Sequence, residues 1–203
     1  MEITVAQIDS GVRRAVVAIA SLEQTLNEAD AKLGDGDTGS MLVRAIGAMA
    51  ASDPGAATSV SDAFGRMARA AMSSTGSSLG TLFASALLSL SKDTKGQTSV
   101  SWGDLAGLIA TARDGMMARG GAKLGDKTVL DGLDAIAEAI AGQADAGSVA
   151  SAATRAVDEA LAEFKEKPCR IGRAKFFPEK SVGLDDPGMF ALVLLTRAVT
   201  QST

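Results

Sequence analysis

The chain of 203 residues carries a formal net charge of −4 without an extended basic tract, and its longest clean apolar run, Met189 to Leu195, is far too short to span a bilayer. Nucleic acid, anionic membrane and membrane insertion are therefore set aside, and the absence of a signal-peptide pattern predicts a cytoplasmic protein. With no histidine and a single cysteine, Cys169, the chain cannot use an imidazole base, a phosphohistidine of its own, His-ligated zinc or an intrachain disulfide.

Hydrophobic residues make up 46% of the chain but aromatics only 3%, so the core is built from Ala, Leu, Val and Met, which favours helices in a single domain, 1–203. Thr4 and Gln7 match a capping box, and Ile8, Val12, Ala15, Val16, Ile19, Leu22 and Leu26 follow at helical spacing. That helix runs into a turn holding three carboxylates, Asp30, Asp35 and Asp37, with glycines at 34, 36 and 39. Two readings stand for the turn. Clustered carboxylates repel one another unless a cation joins them, and Mg²⁺ prefers oxygen ligands; equally, aspartates of a solvated loop form turns and cap helices. A second helix resumes with Met41, Leu42, Ile46 and Met49, so the turn's backbone amides lie at a helix N-terminus suited to anions.

A third helix is predicted over Thr58 to Met72, then a polar turn from Ser73 to Thr81 and an apolar helix from Leu82 to Leu90. The serines and glycines of that turn suit either a close approach to phosphate or a flexible linker ending in a serine cap. Ser101 to Asp104 looks like a capped start, and the helix after it stops at Gly120 and Gly121. Asp126 and Thr128 read as capping residues before Val129, Leu130, Leu133, Ile136 and Ile140. An alanine-rich helix covers Ser148 to Lys165, and a final one covers Met189 to Thr200. Between them lies a basic loop broken by Pro168, Gly172, Pro178, Gly183 and Pro187, in which Arg173 or Lys175 could fold over phosphate. Cys169, flanked by Lys167 and Arg170, is read as a small packed hydrophobe rather than a nucleophile. The count is about eight helices, with no convincing strand alternation.

Three separated motifs resemble one family. Leu33 to Gly39 preceded by Asp30, Gly125 to Thr128, and Gly172 to Ala174 followed by Ser181 to Gly183 and Asp186 to Gly188 resemble the nucleotide-binding L subunit of dihydroxyacetone kinases and the equivalent C-terminal domain of single-chain ones. The resemblance implies an all-α, eight-helix antiparallel up-and-down barrel with the nucleotide site in the loops at one end. Asp30, Asp35 and Asp37 would hold two Mg²⁺ ions and, with Arg173, carry the phosphoryl chemistry. ADP or ATP would be lined by Thr38, Gly39, Ser40, Met41, Ser73, Ser74, Thr75, Gly120, Arg173, Asp186, Pro187 and Gly188, with Val129 on the adenine side. The acceptor sugar would be held on histidine by a separate K-type subunit, without which this kinase subunit is inactive. The resemblance also leaves room for a phosphohistidine donor of the phosphotransferase system and for a homodimer.

The chain departs from the family's usual pattern in having Thr38 for a histidine, Met41 for an asparagine, a serine-rich Ser73 to Ser78 loop, and Leu184-Asp185 before the last motif. The Asp-Thr-Gly form is closer to the nucleotide domain of fatty acid kinases, so a ketotetrose or a fatty acid type of acceptor stays open. A module that senses ADP against ATP without turnover, and a lipid-carrying barrel with a vestigial site, are the readings from other classes.

Overall fold

The computed structural model describes residues 2–74 and 76–200. Its α-helices are α1 (Val5–Asp30), α2 (Thr38–Ala51), α3 (Val60–Ser74), α4 (Ser78–Asp93), α5 (Leu105–Gly120), α6 (Val129–Ile140), α7 (Ala146–Lys165) and α8 (Pro187–Thr200). Each helix packs against the next, and α8 packs back onto α1, which closes a ring. Successive neighbours in the ring, most of them joined by short connections, run antiparallel. The eight-helix up-and-down barrel implied by the resemblance is therefore the fold adopted. Alternation of direction places the α1–α2, α3–α4, α5–α6 and α7–α8 connections at one end, here called the loop end.

Local chemistry explains the boundaries. Thr4 caps α1, its backbone N–H donating to Gln7 Oε1 at 2.7 Å. Thr128 and Asp131 form a second capping box at α6, and α5 ends on Gly121 at φ 72°. The cap of α7 is Asp145, whose Oδ1 accepts the Ser148 N–H, so that helix begins two residues before the predicted Ser148. Two expectations are corrected. The polar turn predicted from Ser73 is shorter, because α3 continues through Ser74 and α4 already begins at Ser78. Strands also exist: β1 (Glu2–Thr4) pairs antiparallel with β2 (Ser99–Ser101) at the end opposite the loop end. Three-residue strands are too short for alternation to reveal.

The interior is packed with side chains around the whole ring. Ile19, Leu26, Met41 and Ile46 join α1, α2 and α8; Met67, Ala71, Ala84 and Leu87 join α3 and α4; Ile140, Val157 and Val193 join α6, α7 and α8. Alanine and glycine at many contacts let backbones approach closely. At Gly39 an added Cβ would collide with the Glu23 carbonyl oxygen of α1. Among the described residues no helix is long and apolar enough to cross a membrane.

Candidate functional site

The acidic turn is built by the C-terminus of α1 folding back on itself. The Asp30 carbonyl accepts the N–H groups of Leu33 and Gly34 at 2.9 and 2.6 Å, and Gly36 takes φ 77°, the left-handed region that glycine occupies without strain. An added Cβ at Gly34 would collide with Asp30 Oδ1, so a side chain there would drive the carboxylate from its place. The outcome is a cluster in which one carboxylate oxygen from each of Asp30, Asp35 and Asp37 lies within 4.8 Å of the others. Asp30 is buried, while Asp35 and Asp37 are exposed. This donor set is all oxygen and carries three negative charges, which suits a hard divalent cation such as Mg²⁺. Arg173 reaches the same place: its Nη2 lies 2.7 Å from Asp35 Oδ2. Two segments far apart in sequence thus converge on one point.

At the α2 N-terminus, where the sequence suggested an anion site, three amides are already bonded to side chains. Asp30 Oδ2 accepts the Asp37 and Thr38 N–H groups at 3.0 and 3.3 Å, Asn27 Oδ1 accepts the Ser40 N–H at 3.1 Å, and the Met41 N–H donates to the Asp37 carbonyl. These amides are committed inside the protein. Ser40 is also committed: its Oγ donates to Glu23 Oε1 at 2.7 Å and accepts from Asn27 Nδ2 at 3.0 Å. The Met41 side chain lies in the core between α1, α2 and α8. Thr38 is buried at the start of α2, and Gly39 has a packing reason of its own against Glu23.

The remaining candidates lie around the same end. Ser73 and Ser74 occupy the last turn of α3, with hydroxyls donating to the Arg69 and Ala71 carbonyls. Thr75 lies outside the described residues. Gly120 packs on Leu82 where α5 ends, and Val129 opens α6. Gly188 sits against Val129, an added Cβ there lying 3.4 Å from Val129 Cβ, so Val129, Asp186, Pro187 and Gly188 form one group.

Asp186 caps α8, its Oδ1 accepting the Met189 N–H at 2.8 Å. Burial pushes its pKa up to about 6, opposed by the hydrogen bonds from Met189 and Gly188 and by the charge of Lys127. Between about pH 4 and pH 6 the unfolded chain loses this proton while the fold retains it, so stability from this group is present in acid and is lost as pH rises through 6. Asp186→Asn keeps an acceptor for the cap and removes the cost of ionisation. It is expected to match the parent near pH 4 and to exceed it by about 1–3 kcal/mol above pH 7. Denaturant unfolding of both proteins across that range checks this; a constant difference at all pH values would contradict it.

Several residues were missed by sequence reasoning. Glu23, Asn27 and Asp30 lie on one face of α1 at helical spacing, a signal that could have been read with the acidic turn. Lys127 is only 1% exposed, and its ammonium donates to the carbonyls of Lys165, Lys167 and Ser181 at 2.8, 2.7 and 2.8 Å. Its acceptors are backbone groups 38 to 54 residues away, which no local pattern announces.

Comparison with known proteins gives a consistent result. A DAK2 domain matches residues 32–201. The ADP-binding subunit DhaL of the PEP-dependent dihydroxyacetone kinase 1 of Listeria innocua is 28% identical, covering 89% of this chain and 87% of that one. The corresponding subunit of the PTS-dependent dihydroxyacetone kinase of Lactococcus lactis is 31% identical over 80% of this chain and 79% of its own. The L-erythrulose 1-kinase of Mycolicibacterium smegmatis is 31% identical over 98% of this chain but only 38% of its own. The dihydroxyacetone kinase of C. freundii in complex with AMP-PNP and Mg²⁺ superposes with a TM-score of 0.75 at 23% identity, over 96% of this chain and 33% of that one. The chain thus spans most of the two subunits and about a third of the larger kinases.

Proposed function

Because the chain belongs to the DAK2 domain family, we propose that it is the nucleotide-binding subunit of a dihydroxyacetone-type kinase, a phosphotransferase that works with a separate K-type subunit holding a small ketose. The observation that carries this reading is the meeting of Asp30, Asp35, Asp37 and Arg173 at the loop end. ADP or ATP binds there with two Mg²⁺ ions, and the work is cytoplasmic. Bound at the three aspartates, Mg²⁺ supplies charge neutralisation for the phosphates and a template for in-line transfer. Arg173 leaves Asp35 for the phosphate oxygens, to which a guanidinium offers paired donors. Val129, Asp186, Pro187 and Gly188 form the neighbouring wall for the nucleoside. With the Asp37, Thr38 and Ser40 amides bonded to Asp30 and Asn27, orientation of the phosphates rests mainly on the metal and Arg173.

The partner is supported by surface chemistry at the same end. Phe176 and Phe177 are 71% and 60% exposed beside Arg173, with Lys175 and Lys180 over their rings. Exposed aromatic pairs of this kind are commonly covered in a complex. A phosphohistidine protein that recharges ADP, and a second copy of the chain, are the other partners proposed.

The isolated chain is expected to show no phosphorylation of dihydroxyacetone from ATP, since it has no histidine to trap the carbonyl. Addition of a K-type subunit should produce turnover. A coupled assay for ADP release with and without that subunit checks the division of labour, and robust sugar phosphorylation by this chain alone would overturn it. Nucleotide binding itself is tested by calorimetry with ADP and Mg²⁺.

A further inference from the structure

The segment between α7 and α8, residues 166–186, crosses the loop end as a strap with two short 3-10 helices, Arg173–Phe176 and Pro178–Ser181. Its middle has little packing of its own. Arg170, Gly172, Arg173 and residues 175–180 are exposed, and Ile171 alone of this middle part joins the apolar cluster of α4, α5 and α6. Arg173 nevertheless lies against Asp35, so the strap must be fixed from its feet.

Both feet close on one cation. Lys127 Nζ donates to Lys165 and Lys167 carbonyls on the first foot and to the Ser181 carbonyl on the second, which uses all three ammonium protons. The feet are also joined to each other. The Gly183 N–H donates to the Lys165 carbonyl at 2.9 Å, and the Cys169 N–H donates to Ser181 Oγ at 2.7 Å. Lys127 stands just before the cap of α6 at φ 62°, a left-handed conformation that a lysine holds only where its surroundings enforce it. Beside it the Asp126 carbonyl accepts the Arg170 N–H at 3.1 Å. The helix that opens with Val129 is thereby coupled to the strap that carries Arg173.

We propose that Lys127 is a positioning residue that acts through Arg173: its ammonium pins the two feet of the strap and so sets the guanidinium over the acidic cluster. This rests on the phosphate-binding reading of that cluster. Its fit to the observations is specific. A lysine serving only to stabilise a helix start would not need acceptors on both sides of one loop, whereas a loop that must present a guanidinium from an exposed span needs a fixed base.

Two measurements on Lys127→Met test it. In ligand-free protein, amide exchange protection at Cys169 and Gly183 should fall at least about tenfold, with Asp37 and Thr38 unchanged. Affinity for ADP in Mg²⁺ should fall at least about fivefold, and the same substitution made on Arg173→Ala should change it less than about twofold, since the two act in series. Lys127→Gln, which keeps two donors on a shorter arm, is read by the same criteria should the methionine variant fail to fold. Unchanged protection at the feet overturns the pin. An equal loss of affinity with and without Arg173 overturns its action through that residue and leaves a general stabilising role. If the parent itself binds no ADP with Mg²⁺, the proposed function fails, while exchange at the feet still decides whether Lys127 holds the strap.

Discussion

Asp37→Asn is expected to weaken ADP binding in Mg²⁺ by at least about tenfold, or 1.4 kcal/mol, while leaving the metal-free protein as stable as the parent. Asp37 belongs to the cluster but its side chain holds nothing else in place. Its carboxylate is exposed and makes no cap bond to α2, although the residue stands at the N-cap position. Removing its charge therefore costs the empty fold nothing and relieves repulsion from Asp30 and Asp35. With metal and nucleotide the order reverses, because only the parent gains the full stabilisation that ligand binding confers on the native state. Asp35→Asn should behave similarly. Its ion pair with Arg173 is exposed on both sides and is worth at most about 1 kcal/mol. Asp30→Asn should differ, because Asp30 is buried and one of its oxygens accepts the Asp37 and Thr38 amides; asparagine keeps that acceptor but loses the charge that strengthens both bonds, so the variant should be less stable in both buffers by about 1 kcal/mol. Melting curves in chelator and in Mg²⁺ with ADP, beside calorimetric titration, separate these cases. Unchanged ADP affinity in the Asp35 and Asp37 variants would reduce the turn to a structural feature.

Gly39→Ala should be the most damaging single methyl addition at this end of the molecule, at about 3 kcal/mol. The new Cβ would meet the Glu23 carbonyl oxygen, with the Glu23 carbonyl carbon at 2.9 Å and Asn27 Oδ1 at 2.8 Å. Backbone cannot rotate aside as a side chain can, so α1 and α2 must part where Asn27 and Ser40 join them. For a chain of this length the melting temperature should fall by about 6–12 °C. Gly47→Ala is the control. It lies in the same helix with nothing within 4 Å of an added Cβ, so the substitution should stabilise by about 0.5–1 kcal/mol through helix propensity. Equal melting temperatures for the two variants would show that α1 and α2 are not in tight contact at Gly39.

What could be read from the sequence was what local chemistry determines. The Thr4 capping box, the Thr128 cap, the Gly121 stop and the apolar stripes all involve residues within a turn or two of one another and appear where they were expected, whereas Asp126, also read as a cap, accepts the Lys123 N–H instead. The basic loop suggested only that Arg173 or Lys175 could reach phosphate, and the resemblance singled out Arg173; a separation of over a hundred residues from the acidic turn leaves no periodic trace. Lys127 stood inside the Gly125 to Thr128 motif, but its role could not be read for a related reason: its acceptors are carbonyls, which every residue has. The α2 terminus looks open to anions in the sequence because a helix starts there after a glycine-rich turn. Whether its amides are free depends on Asn27 and Asp30 reaching across from α1, which is a fact of packing. Ser73 and Ser74 misled through composition, since serines suggest a loop while the backbone stays helical and their hydroxyls return to the preceding turn.

The even number of helices has a consequence for tethering. An up-and-down ring of eight returns the chain to the end from which it set out, so the start of α1 and the finish of α8 both lie opposite the acidic cluster. A polypeptide joined at either side leaves the cluster uncovered, but it must travel the height of the barrel to reach it. Along the 14 residues of α8 that height is about 21 Å, and along the 26 of α1 it is about 39 Å. A flexible Gly/Ser connector has a root-mean-square reach of roughly 5–6 Å times the square root of its length, so about 15 residues after α8, or about 50 before α1, bring an attached protein level with the cluster. A fusion made to raise the local concentration of an acceptor-bearing protein should therefore use the C-terminal side, and connectors much shorter than this should act as if the two proteins were unlinked.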